Sequence, residues 1–117
     1  MIQGYAMTLL FVSDVTRAVD WYRDVLGMTL RSHHGDFATL EAPGTVFGLH
    51  GGAPAGGPKR EGGTIPVLRV ADYPAAKAAL EAKGCAFTFE NQTPAARFGT
   101  FHDPDGNPLQ IYGPPGS

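Results

Sequence analysis

Leu10-Phe11-Val12-Ser13-Asp14 leads into a helical stretch ending at Val25-Leu26-Gly27. The arrangement returns as Leu68-Arg69-Val70-Ala71-Asp72, ahead of a helical stretch ending at Ala82-Lys83-Gly84. The two aspartates stand 58 positions apart and the two glycines 57. Phe37-Ala38-Thr39 then matches Phe98-Gly99-Thr100, and Phe47-Gly48-Leu49 matches Leu109-Gln110-Ile111. Four matches in one order mark a duplication, and loop lengths absorb the small drift in offset. Each half reads as a strand, a helix and three strands, an α+β chain of two β-α-β-β-β modules. Residues 6–12 are apolar and partly β-branched or aromatic, as a strand requires. Val15, Val19, Tyr22 and Leu26 form one helical face over residues 15–26. Asp14 can accept from the first free amides, and Gly27 can take the left-handed position at the end. Asp72 caps the second helix, Pro74 sits in its first turn and Gly84 closes it. Strands are expected near 28–34, 37–42 and 45–50, and again near 86–90, 97–102 and 108–112. Asp103-Pro104-Asp105-Gly106-Asn107-Pro108 is a turn sequence.

Composition narrows the function classes. Of 117 residues, 43% are hydrophobic and 17% charged, which is globular. The net charge is −2 with no run of like charges, so nucleic acid and membrane surfaces find no electrostatic footprint. The longest apolar run, Leu9–Val12, is too short for a membrane span or a signal peptide. Cys85 stands alone, which excludes an internal disulfide and a cysteine metal cluster. A cytoplasmic protein is expected. Glycine and proline crowd residues 51–63, which read as a linker between a first module, 1–50, and a second, 64–117, within one structural domain. No Gly-x-Ser-x-Gly, phosphate loop or dinucleotide fingerprint occurs. Cys85 suits packing better than nucleophilic attack, and Glu41 and Glu90 read as solvated strand-edge charges.

The duplication, with Phe11-Val12-Ser13-Asp14, Asp20-Trp21-Tyr22-Arg23-Asp24-Val25-Leu26-Gly27 and Phe101–Gln110, resembles the vicinal oxygen chelate superfamily of glyoxalases, bleomycin-resistance proteins and dioxygenases. The resemblance covers about residues 4–113. It implies a cup-shaped mixed sheet with helices on its outer face. In metal-dependent members, four cup-facing residues hold a divalent metal, usually His or Glu and sometimes Gln. Counting from the motifs places those positions here at Met7, Gly48, Ile65 and Gln110. Isoleucine and glycine offer no side-chain donor, and methionine is a soft one. The set argues against a metal-dependent lyase or dioxygenase, and no cofactor is assigned. His50 and His102 offer an alternative pair, without an inward carboxylate to complete a catalytic site.

Strand alternation lines the cup with Met7, Leu9, Phe11, Phe37, His50, Arg69, Phe98, Gln110 and Tyr112. An apolar, aromatic lining with a few polar tips suits a small aromatic or amphipathic ligand. The same residues would also serve a closed core or a dimer interface. The resemblance is nearest in character to the metal-free bleomycin-resistance-like branch and implies a homodimer, with modules paired within one chain or exchanged between chains. The competing reading is an enzyme of the same fold, a lyase or oxygenase with an atypical or absent metal site.

Overall fold

In the computed structural model, which describes residues 1–55 and 63–115, the chain divides into two compact units, Met1–Gly57 and Pro58–Ser117. The first holds β1 (Thr8–Phe11), α1 (Val15–Asp24), β2 (Thr29–His34), β3 (Phe37–Ala42) and β4 (Thr45–His50). The second holds β5 (Val67–Arg69), α2 (Tyr73–Ala82), β6 (Phe89–Gln92), β7 (Arg97–His102) and β8 (Pro108–Gly113). Each makes a four-stranded mixed sheet, ordered β1-β4-β3-β2 and β5-β8-β7-β6. The first strand of each module runs parallel to the last, and the other pairs are antiparallel. Two mixed sheets, each with a helix on one face, bear out the expected α+β fold.

The core of each module lies between sheet and helix. In the first, Leu10, Val12, Ala38, Leu40, Phe47 and Leu49 are buried beneath Val15, Ala18, Val19 and Tyr22 of α1. Tyr22 meets Phe47 edge-on, with ring centroids 5.8 Å apart. Burying one such large apolar side chain is worth about 1.5–3 kcal/mol. In the second, Phe101, Leu109 and Ile111 are buried on the helix side with Tyr73 and Leu80 of α2. Asp14 and Asp72 cap the helices as expected, each accepting from the amide three residues on. The Asp103 carboxylate ties its turn by accepting from the Asp105 amide at 3.0 Å and the Asn107 amide at 2.8 Å.

The boundaries differ from expectation where local chemistry intervenes. Helix α1 ends at Asp24, because Gly27 at φ 70° closes it with amide bonds from Gly27 to the Arg23 carbonyl and from Met28 to the Tyr22 carbonyl. Strand β1 begins at Thr8 and β5 at Val67, so Met7 and Ile65 precede their strands. Strand β6 begins at Phe89, three residues later than expected. The Phe87 ring is held on the helix side, 5.3 Å from Phe101 and 6.5 Å from Tyr73. Phe87 and Phe89 therefore fall on opposite faces, which regular alternation forbids. A register shift between Leu30 and Ser32 makes a bulge at Arg31. Of the expected linker at 51–63, residues 56–62 lie outside the described residues. Its start is tied down: the Gly51 amide donates to Asp36 and the Ala53 amide to Val12. Among the described residues, no helix is long and apolar enough to cross a membrane.

Candidate functional site

Opposite its helix, each sheet presents an open face whose rows follow from the strand register. In the first module one row runs Phe11, His50, Phe37, His34 and the next Leu9, Gly48, Thr39, Ser32. The second module repeats them as Arg69, Tyr112, Phe98, Asn91 and Val67, Gln110, Thr100, Phe89. Sheet alternation assigns these side chains to the face away from the core. Exposure agrees: Leu9 at 46%, Phe11 at 43%, Val67 at 52%, Phe89 at 52% and Tyr112 at 43% are the large exposed hydrophobics of the two sheets. Exposed apolar side chains gathered on one face are the informative departure from ordinary burial.

In the first module, His50 stands between two phenyl rings, 5.6 Å from Phe11 and 6.3 Å from Phe37. A carbonyl oxygen only accepts, so His50 Nδ1 donates to the Gly51 carbonyl at 2.7 Å. The Ser32 and Thr39 hydroxyls bond each other at 2.8 Å, which fixes both on the open face. Gly48 is covered: a Cβ there would lie 2.7 Å from Met7 Sδ, 3.2 Å from Phe37 Cε1 and 3.3 Å from Leu9 Cδ1. The thioether thus fills the space where a side chain at position 48 would begin.

In the second module, Phe98 stacks with Tyr112 at 6.3 Å and 19°, and Phe89 lies 6.3 Å from Phe98 on the other side. Gln110 Nε2 donates to the Thr100 hydroxyl at 3.2 Å, placing both on the open face. Arg69 is exposed beside Tyr112, its neighbour across the parallel pair. Ile65 is half-buried ahead of β5.

The structure therefore puts Leu9, Phe11, Phe37 and His50, with Met7 beside them, on the first open face. It puts Arg69, Phe98, Gln110 and Tyr112 on the second. Sequence reasoning missed Ser32, Thr39, Phe89 and Thr100. The Thr39–Thr100 match within the repeat was the available signal for two of them. Glu90 is exposed on the edge strand β6, as expected, but its partners were missed. Tyr73 Oη donates to it at 3.0 Å, Lys77 Nζ lies 2.5 Å away and Arg97 pairs at 3.5 Å. The Lys77 hydrogen bond, helped by Tyr73, holds the Glu90 carboxyl below its usual range, and burial pushes the Tyr73 hydroxyl well above its own. Glu41 pairs with Arg31 at 3.5 Å. Burial pushes the Cys85 thiol up, the reverse of nucleophile activation.

A divalent metal at the positions implied by the resemblance does not fit these residues. Met7 covers Gly48 in the first module, and Ile65 carries no donor in the second. Gln110 supplies one neutral oxygen while its nitrogen is bonded to Thr100. Among the described residues, no group of three or more His, Cys, Asp or Glu could hold a metal ion.

Duplicated modules, each with an apolar open sheet face, define a small two-module α+β protein. The chain belongs to the Glyoxalase/Bleomycin resistance protein/Dioxygenase superfamily, whose family model matches residues 4–111. Among solved structures it is similar to the fosfomycin resistance protein FosX of Listeria monocytogenes, with a TM-score of 0.80, 14% identity and coverage of 97% of this chain and 94% of that one. It is similar to TnmS3, an antibiotic binding protein from Streptomyces, with a TM-score of 0.71, 24% identity and coverage of 97% and 99%. A glyoxalase/bleomycin resistance protein/dioxygenase from Nocardioides gives a TM-score of 0.69, 25% identity and coverage of 97% and 86%. No curated protein matches the chain.

Proposed function

We propose that this chain is a small-molecule-binding protein of the metal-free, bleomycin-resistance-like kind, taking an aromatic or amphipathic ligand on its open sheet faces. The observation that carries this reading is the Met7 thioether packed over Gly48, an apolar plug where the family's metal chemistry needs donors. Phe11, Phe37, Phe98 and Tyr112 supply ring surface, and His50, Arg69 and Gln110 supply orienting polar groups. An antibiotic binding protein of the same fold, TnmS3, accords with a binding role. Residues 1–50 and 64–117 serve as the modules and 51–63 as the linker. The protein works as a cytoplasmic homodimer without a cofactor, association offsetting the small core of a chain this size.

The test joins two measurements on the purified protein: elemental analysis, and calorimetric titration with a panel of naphthalene derivatives. Substoichiometric metal together with saturable binding is expected. One equivalent of a divalent metal, lost together with ligand binding when Gln110 is changed to alanine, would overturn the reading.

A further inference from the structure

The first open face carries the chemistry to choose among aromatic ligands. His50 sits in the ring row with Phe11 and Phe37, and its Nδ1 proton is committed to the Gly51 carbonyl at 2.7 Å. In a neutral imidazole with the proton on Nδ1, Nε2 is a lone-pair acceptor. Among the described residues no hydrogen bond is made to Nε2 of His50, which is exposed. Glu41 lies four residues along β3 from Phe37 and is paired with Arg31 at 3.5 Å.

An acceptor flanked by two rings suits an aromatic hydrogen-bond donor and offers an anion nothing to pair with. Resting on the binding reading above, we propose that the first module recognises a planar aromatic molecule through an O–H or N–H group. A phenol or naphthol is the simplest case: its hydroxyl donates to His50 Nε2 while its ring lies against Phe11 and Phe37. The interaction is reversible and breaks no covalent bond.

The experiment titrates the full chain at pH 8 with 2-naphthol, 2-methoxynaphthalene and 2-naphthoate. 2-Naphthol is expected to bind about fivefold more tightly than 2-methoxynaphthalene, the span of one net hydrogen bond. His50→Phe should bring that ratio to about one while leaving the 2-methoxynaphthalene affinity within about twofold, since only the acceptor is lost. His50→Gln, which retains an acceptor, should keep part of the preference. Circular dichroism of each variant checks folding. Equal binding of naphthol and its methyl ether, or an unchanged ratio in folded His50→Phe, would overturn the donor assignment and leave a binding protein. Tightest binding of 2-naphthoate, unaffected by His50→Phe, would also overturn it and point to Arg69. No binding of any probe would overturn both this inference and the binding reading.

Discussion

The two modules share a backbone register, keep Phe37/Phe98 and Thr39/Thr100 in common, and differ at most other open-face positions. Position for position, Leu9, Phe11, Phe37, Gly48 and His50 stand where Val67, Arg69, Phe98, Gln110 and Tyr112 stand in the second copy. The first face carries the imidazole acceptor, whereas the second carries a guanidinium and a phenol. Beneath the sheets the contrast concerns volume. Val15 and Ala38 are both buried in the first module, and the repeat makes Tyr73 and Gly99 their counterparts. A Cβ on Gly99 would collide with the Tyr73 hydroxyl and come within 2.9 Å of Phe87. A larger residue at the head of the helix is thus accommodated by a smaller one on the strand. A duplicated fold conserves where side chains point and leaves their chemistry free to diverge.

The largest expected effect breaks that volume exchange. Gly99→Ala should destabilise the chain by about 2–3 kcal/mol, because the Tyr73 hydroxyl and the Phe87 ring are both packed in place. Tyr73→Val with Gly99→Ala copies the first module, and should cost at least about 1 kcal/mol less than the two single losses added. Urea denaturation of the four proteins gives the cycle.

Next in size is the charge contrast between the faces. Arg69→Ala should weaken binding of 2-naphthoate by about 1.5 kcal/mol, the low end for a hydrogen bond to a charged group, and leave the unfolding midpoint unchanged because Arg69 is exposed. Calorimetry and thermal melts read the two quantities separately.

The Glu90 cluster has no counterpart in the first module. Tyr73→Phe should cost about 1 kcal/mol at neutral pH through the lost bond to Glu90. Burial raises the Tyr73 hydroxyl above its unfolded value of 10.0. Its stability term is therefore complete below pH 10 and lost as pH rises further, as the unfolded chain releases the proton first. Glu90 is lowered, chiefly by Lys77. Its term is present above the ordinary carboxylate range and lost as pH falls through it. Tyr73→Phe should flatten the alkaline limb of a stability-versus-pH curve, and Glu90→Gln the acid limb.

The smallest effect is expected at Gly48. The atom nearest a new Cβ there is the end of a flexible methionine, so Gly48→Ala should cost less than about 1 kcal/mol. A loss matching that of Gly99→Ala in the same assay would show Met7 to be as rigidly held as Tyr73.

Much of the fold was legible because it rests on period and punctuation. Asp14, Gly27, Asp72 and Gly84 bounded the helices, and strands β3, β4 and β7 fell where alternation put them. The repeat matched Gly48 with Gln110, and in the structure the two hold equivalent places, opposite Leu9 and Val67. What escaped depends on side-chain direction and on irregular backbone. No pattern in Met7-Thr8-Leu9 says that a thioether folds over a glycine of the neighbouring strand. Phe87-Thr88-Phe89 alternates like a regular strand, but the Phe87 ring is drawn to Phe101 and the ladder starts late. The partners of Glu90 escaped because they come from other elements, Lys77 from α2 and Arg97 from β7.

On the proposed reading, the ligand is held by side chains alone. The most direct measurement is the dissociation constant for 2-naphthol before and after exhaustive dialysis against a chelator, with manganese or zinc then restored. An unchanged constant throughout is expected. Loss of binding on chelation and recovery on adding either metal would contradict the claim.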